Sequence, residues 1–312
     1  MIKEVTIRNV VTGEEAEISM FSSRFVLDYV DWDTPSVSQS TYRVPKQIGK
    51  SLSGVTINTR KPTIYGYVVA DLSNTNVLGM TMAEYYEVQE RRIEEQKQEL
   101  NRIISVFQDI QIEADGYFLD ARPTSPVTFS EKEEENNEIL CAFSIDLECY
   151  NPMFYQDSKI VSMQSVEDKF HFPLVIPESG LIFGEVIRRQ SINIENAGDA
   201  EVGCTITITA SGGSVVDPIF YNVNTGEYIG FDGLTLQDGE YIIITTDVSE
   251  ENVIKHGNAR TESVVSYLSS GSKFLKIAQG GDMYSYDVDE EHQNSIDVVV
   301  SYREQWFNIP GI

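Results

Sequence analysis

Between residues 139 and 148 the chain alternates. Ile139, Cys141, Phe143, Ile145 and Leu147 point one way, while Leu140, Ala142, Ser144, Asp146 and Glu148 point the other. A period of two with one apolar set predicts a strand with one buried face. The run stops at Asn151-Pro152, because proline supplies no donor and biases the residue before it away from the helical region. The same period marks residues 2–7 and 15–18, joined by a Thr12-Gly13-Glu14 turn, and then residues 25–32. Residues 54–60 and 63–70 read as a further pair of strands, punctuated by Lys61-Pro62. Residues 110–114 and 117–122 flank Asp115-Gly116 as a hairpin. Residues 127–129 then lead into the acidic run 130–137, which reads as a solvated hairpin tip.

Between these strands the period changes. Met82, Tyr85, Tyr86, Ile93, Leu100, Ile103, Ile104 and Phe107 recur at helical spacing. Thr81 and Glu84 stand as a capping box, each side chain able to satisfy a free backbone donor. The pattern predicts a firm helix over residues 91–107, with its first two turns as loop, covering one face of a sheet. Beyond Gln156 the pattern weakens, and Pro173 and Pro177 break it. Strands resume at 191–196, 204–210, 218–222, 228–231, 241–245, 274–277 and 296–302. Short strands at regular spacing with Asp-Gly and Gly-Gly turns predict a β-sandwich. The expected organisation is an N-terminal domain over residues 1–155, a linker over 156–177 and a second domain over 178–312. The fold class is mainly β: a sandwich or barrel-like first domain with one long helix and a hairpin, then a β-sandwich.

Composition narrows the function. A length of 312 residues exceeds one typical domain, and 41% hydrophobic residues suffice for packed cores. The formal net charge is -26, the opposite of what phosphate backbones attract. Cys141 and Cys149 share a strand face about 26 Å apart, too far to bridge. With Cys204 they read as small core residues of a chain made in a reducing cytoplasm. No apolar run approaches the length that spans a bilayer, and no signal-peptide core opens the chain.

Candidate chemistry is sparse. Gly49-Lys50-Ser51 has the tail of a P-loop, but Val44 stands where its first glycine belongs, and the surroundings are β-rich. His171, His256 and His292 are scattered without partners at a recognisable spacing. The run Asp287-Val288-Asp289-Glu290-Glu291 before His292 lacks the ligand pattern of a hard-cation loop and reads as a polar turn. Trp32, Tyr221, Tyr228 and Trp306 are candidates for a sugar-binding platform, although core burial is the commoner fate of such residues. No catalytic, cofactor-binding or metal-ligating residue is singled out.

In order along the chain, several short segments resemble the distal tail proteins (Dit) of siphophages, the siphovirus tail component family. They are Gln47-Ile48-Gly49, Gly54-Val55-Thr56-Ile57, Tyr65-Gly66-Tyr67-Val68 and Leu100-Asn101-Arg102-Ile103-Ile104. Asp115-Gly116-Tyr117-Phe118-Leu119, Val127-Thr128-Phe129-Ser130 and Asn151-Pro152-Met153-Phe154-Tyr155 follow. In the second half Pro218-Ile219-Phe220-Tyr221-Asn222, Asn224-Thr225-Gly226-Glu227 and Asp238-Gly239-Glu240-Tyr241-Ile242 are similar to that family's galectin-like domain. The resemblance implies a non-enzymatic structural protein of the virion tail tip, made in the host cytoplasm and not anchored in a membrane. It implies a homohexameric ring around a channel through which DNA passes without specific binding. The implied partners are the tail tube protein, the tail-associated hub or lysin protein and receptor-binding proteins, with no cofactor. The competing expectation is a lectin-like module that binds cell-wall carbohydrate.

Overall fold

The computed structural model describes residues 2–73, 75, 78–132, 136–137, 139–168, 184–188, 191–248, 250–258, 260–289 and 295–309. The chain forms two units. The first runs to Gln156 and takes back the segment from Phe307 onward; the second runs from Asp157 to Trp306. The expected linker range includes two strands of the second unit, and His171, Pro173 and Pro177 lie outside the described residues.

In the first unit, β1 (Glu4–Asn9), β2 (Glu15–Ser19), β3 (Phe25–Asp31), β4 (Val37–Tyr42), β5 (Ser51–Ile57) and β6 (Thr63–Val69) precede one helix, α1 (Met82–Ile103). Then come β7 (Ile110–Ala114), β8 (Tyr117–Pro123), β9 (Thr128–Phe129), β10 (Leu140–Glu148) and β11 (Phe154–Tyr155). The strands β1, β2, β3, β6, β10, β8 and β7 pair in that order and return to β1, closing a seven-stranded barrel. Closure depends on β10. Its first part pairs with β6, and its last two residues, Leu147 and Glu148, pair with Pro123 and Arg122 of β8. A closed barrel leaves no edge unpaired, which an open sheet of this length would. The alternation in β10 is the reason it can serve: Cys141, Phe143, Ile145 and Leu147 are buried and the residues between are half-exposed. Ile139, expected on the inner face, precedes the strand and is exposed.

Two local features fix the barrel. Gly66 of β6 sits where a Cβ would lie 2.5 Å from the Val26 carbonyl oxygen and 2.7 Å from Cζ of Phe143. No side chain fits between them, and β3 bulges at this level, between Leu27 and Tyr29. At the β7–β8 turn Asp115 and Gly116 both have positive φ, 50° and 77°, the geometry of the tight hairpin turn expected there.

The helix begins earlier than expected. Its first turns are helical because the Thr81–Glu84 capping box forms in both directions. It also ends earlier, at Ile103, and Phe107 is exposed rather than on the inner stripe. The stop has a partner: the buried Asn9 side chain donates to the Ile103 carbonyl (2.9 Å) and to Gln108 Oε1 (2.7 Å), fastening the helix end to β1.

The expected pairing of residues 54–60 with 63–70 does not form. β5 pairs with β4, and β6 lies between β3 and β10. The β4 sequence, Val37-Ser38-Gln39-Ser40-Thr41-Tyr42, has no apolar alternation to betray a strand, and residues 63–70 are the next segment that alternates.

The second unit contains β12 (Lys159–Ser162), β13 (Gln164–Asp168), β14 (Gly184–Arg188), β15 (Ser191–Ile194), β16 (Cys204–Ala210), β17 (Val215–Val216) and β18 (Ile219–Asn222). It continues with β19 (Tyr228–Gly230), β20 (Thr235–Leu236), β21 (Tyr241–Thr245), β22 (Asn252–His256), β23 (Thr261–Ser263), β24 (Asp282–Asp287) and β25 (Ile296–Tyr302). A six-stranded sheet, β12-β25-β16-β21-β22-β23, and a four-stranded sheet, β15-β24-β18-β19, share one apolar core. Alternation in β16, β21 and β25 supplies Ile206, Ile208, Ile242, Ile244, Val298 and Val300 to it. Residues 274–277, expected as a strand, make only a single bridge, Val202 to Ile277. Leu275 and Ile277 do point inward, but the Lys276 carbonyl is taken by the Tyr284 hydroxyl at 2.7 Å rather than by a neighbouring strand.

Candidate assembly surface

Among the described residues, none of those considered for chemistry comes together in an active arrangement. Among the described residues no group of three or more His, Cys, Asp or Glu could hold a metal ion. His256 stacks on Tyr241 with ring centroids 4.7 Å apart, and His292 lies outside the described residues. All three cysteines are free and buried. Burial pushes the Cys149 thiol up to about 12, partly offset by Arg60, and the Cys204 thiol up to about 11. Gly49-Lys50-Ser51 leads into β5 and not into a helix, so the P-loop geometry is absent there. Of the aromatic candidates, Trp32 is core, packed edge-on to Phe154 at 5.3 Å. Tyr221 and Tyr228 face each other across β18 and β19, and the Tyr228 hydroxyl is held by the Ser270 carbonyl. Trp306 is half-buried. A polar crevice of about 240 Å³ beside α1 is lined by Arg24, Asp71, Arg92, Glu95 and Glu99. Its two arginines are paired, Arg24 with Glu99 and Arg92 with Glu95, so neither is left open to an anionic ligand.

What stands out instead is the β4–β5 hairpin. Every residue of β4 and all but the first of β5 is exposed. The register places Val37 opposite Ile57, Gln39 opposite Val55 and Thr41 opposite Leu52. Cross-strand partners share a face, so Val37, Leu52, Val55 and Ile57 make an uncovered aliphatic face. The other face carries Ser38, Ser40, Thr56 and the exposed Tyr42, while Gln39 and Thr41 lie among the aliphatic side chains. A two-stranded ribbon is marginal by itself in water.

Its base compensates. Asn58 donates from its side chain to Ser36 Oγ (2.8 Å) and Ser38 Oγ (3.1 Å). Just beyond, Arg60 is fully buried, with its guanidinium over the Phe154 ring at 4.7 Å. It donates to the carbonyls of Trp32, Asp33, Pro152 and Phe307. Burial lowers its pKa from the ordinary value, with Cys149 and Asp33 opposing that. Four carbonyl dipoles replace the water that a buried cation loses, so this cation needs no carboxylate. The arm is therefore anchored in the barrel while its length stands free.

The tip is shaped as well. Val44 accepts from the Gln47 N–H across a turn with Pro45 and Lys46 in the middle. Lys46 takes φ 72°, the left-handed position where glycine is usual. Gln47 holds the turn, accepting from Val44 N–H and donating to Ser51 Oγ at 2.7 Å. The tip thus presents Arg43, Lys46 and Lys50 around Ile48, which is 100% exposed. No Asp or Glu occurs from Thr34 to Ala70, although the chain has 49 such residues. That acid-free window is the signal sequence reasoning passed over.

The start of α1 is the second exposed surface. Met82, Tyr86, Gln89, Ile93, Gln96, Leu100 and Ile103 recur by alternate steps of four and three, one stripe along the helix. From Gln89 onward the stripe is buried; Met82 is 65% and Tyr86 43% exposed. Nearby Leu78 is 89% exposed. Glu84, Glu87 and Glu90 are exposed on the same turns.

The two units have the fold of phage distal tail proteins. Among solved structures the chain is similar to the Dit (gp 19.1) protein of phage SPP1, a hub of the adsorption apparatus in phages infecting Gram-positive bacteria. The likeness covers 96% of this chain and 98% of that one, with 11% identity and a TM-score of 0.62. Chains of the phage p2 baseplate in its activated conformation, with Ca and with Sr, are similar over 97% of this chain and 98% of theirs, at 10% and 9% identity. Their TM-scores are 0.44. No family model matches the chain, and no curated protein matches its sequence.

Proposed function

We propose that the chain is a structural component of a phage tail tip, six copies of which form a ring between the tail tube and a tail-associated hub protein. The observation that carries this reading is the end-to-end likeness to SPP1 Dit, which spans both units and leaves no large part of either chain over. In this reading the barrel unit closes the ring, and the second unit faces outward to support receptor-binding proteins. The acidic composition suits such a ring: a channel lined by copies each carrying a net charge of -26 repels passing DNA rather than holding it. Catalysis has no part in this role.

The purified chain is expected to give a six-copy species by native mass spectrometry, and antibodies to it are expected to label the tail tip of intact virions. A chain that stays single in solution and is missing from purified tails would sink the reading.

A further inference from the structure

We infer that the β4–β5 hairpin of one copy docks on the exposed start of α1 of a second copy. This deepens the ring reading and rests on it. Two uncovered surfaces of the same unit are chemically reciprocal. The hairpin offers an aliphatic face and a tip with Arg43, Lys46, Lys50 and the fully exposed Ile48, in a stretch without one acidic residue. The helix start offers Met82 and Tyr86, bordered on one side by the exposed Glu87 and Glu90.

The stripe on α1 supplies the argument for a missing cover. Seven positions keep one spacing, and the barrel buries only those from Gln89 onward. The two apolar members at the start are left over, on a helix end that its capping box holds in place. Met82 and Tyr86 continue that stripe past the sheet that buries the rest of it, and so leave an apolar patch that a second surface can cover. The hairpin has the opposite deficit: apolar side chains on a ribbon with nothing beneath them. Opposite charges around both patches favour this pairing and set its register, since like surfaces, hairpin to hairpin or helix to helix, would repel.

Contact between two different patches is heterologous, so each copy both gives and receives. Such contacts propagate around a closed ring or along a filament and cannot stop at a two-fold dimer. Because Asn58 and Arg60 fix the hairpin base, the arm meets its partner with little ordering left to pay for.

The test is charge exchange. Lys46→Glu with Lys50→Glu, and separately Glu87→Lys with Glu90→Lys, are each expected to weaken self-association at least tenfold in mass photometry. Mixing the two reversed chains is not equivalent to wild type, so the four changes are combined in one chain, where self-association is expected to return. A cysteine pair, Ile48→Cys with Met82→Cys, is expected to give a ladder of disulfide-linked copies on mild oxidation. The native cysteines are buried and supply no background. Circular dichroism should be unchanged in every variant, since all the altered side chains are exposed. If wild type assembles and neither reversal alters it, or no ladder forms, the docking is wrong while the ring stands. If wild type never self-associates, the ring reading fails and the docking with it.

Discussion

The first unit contains two hairpins built from the same local code and put to opposite uses. In β7–β8, alternation sends Ile110, Ile112, Ala114, Leu119 and Ala121 into the barrel. In β4–β5, cross-strand register, with a shift after Ser40, brings Val37, Leu52, Val55 and Ile57 onto a face with nothing beneath it. Both turns place a non-glycine residue at positive φ, Asp115 in one and Lys46 in the other. The difference teaches that alternation specifies a ribbon with two unlike faces; what covers the apolar face is decided elsewhere in the chain or in another one. Substitutions in the barrel should therefore cost folding, and substitutions in the arm should cost assembly only.

The sharpest break is Gly66→Val. The added side chain would overlap both the Val26 carbonyl and the Phe143 ring, neither of which can retreat from the closed barrel. A loss of more than about 4 kcal/mol is expected, read as insoluble expression or as a collapse of the urea midpoint. Arg60→Met comes next, because it keeps the apolar stem but orphans four carbonyls at the hairpin base. Roughly 3 kcal/mol should be lost by equilibrium unfolding, and protease nicking between β4 and β5 should rise as the anchor loosens.

The helix cap, the Asp115-Gly116 turn and the inner faces of β10, β16, β21 and β25 were legible in the sequence, because each couples a periodic apolar set to a local device. The β4–β5 pairing was not legible. Ser38, Gln39, Ser40 and Thr41 carry no burial signal when no core lies below, and register between two such strands is weakly specified. The end of α1 is hidden from the sequence for a related reason. Phe107 continues the period, but a long-range bond from Asn9 to the Ile103 carbonyl terminates the helix, and spacing along the chain holds no trace of it. The assembly surface was written in composition, as a window without acids in an acidic chain, rather than in any motif.

Thiol chemistry offers a gentler contrast between covered and uncovered positions. Burial holds the Cys149 thiol near 12 and the Cys204 thiol near 11 and raises that of Cys141, against about 8.5 in an unfolded chain. The folded state therefore binds these protons more tightly. Their contribution to stability is whole below the unfolded value and is lost as pH climbs through the folded ones. Unfolding midpoints should begin to fall above about pH 8.5 and keep falling toward 11. A thiol reagent at pH 8 should label none of the three until denaturant is added, whereas Ile48→Cys at the arm tip should react at once.

The smallest effect is the most discriminating. Val55→Ser removes an apolar side chain from the arm, and Ile112→Ser removes one from the barrel. Ile112 is buried, so its replacement loses the transfer energy, opens a cavity and strands a hydroxyl, about 3–4 kcal/mol together. Val55 is already 54% exposed, so the isolated chain should change by less than about 0.5 kcal/mol. That near-zero result is expected only while the chain is dilute. Once copies associate, Val55→Ser should lower the thermal midpoint in proportion to the assembled fraction, because the arm's apolar face then lies against a partner. A Val55→Ser penalty that is large and independent of concentration would place that face against its own unit, and the contrast between the two hairpins would be lost.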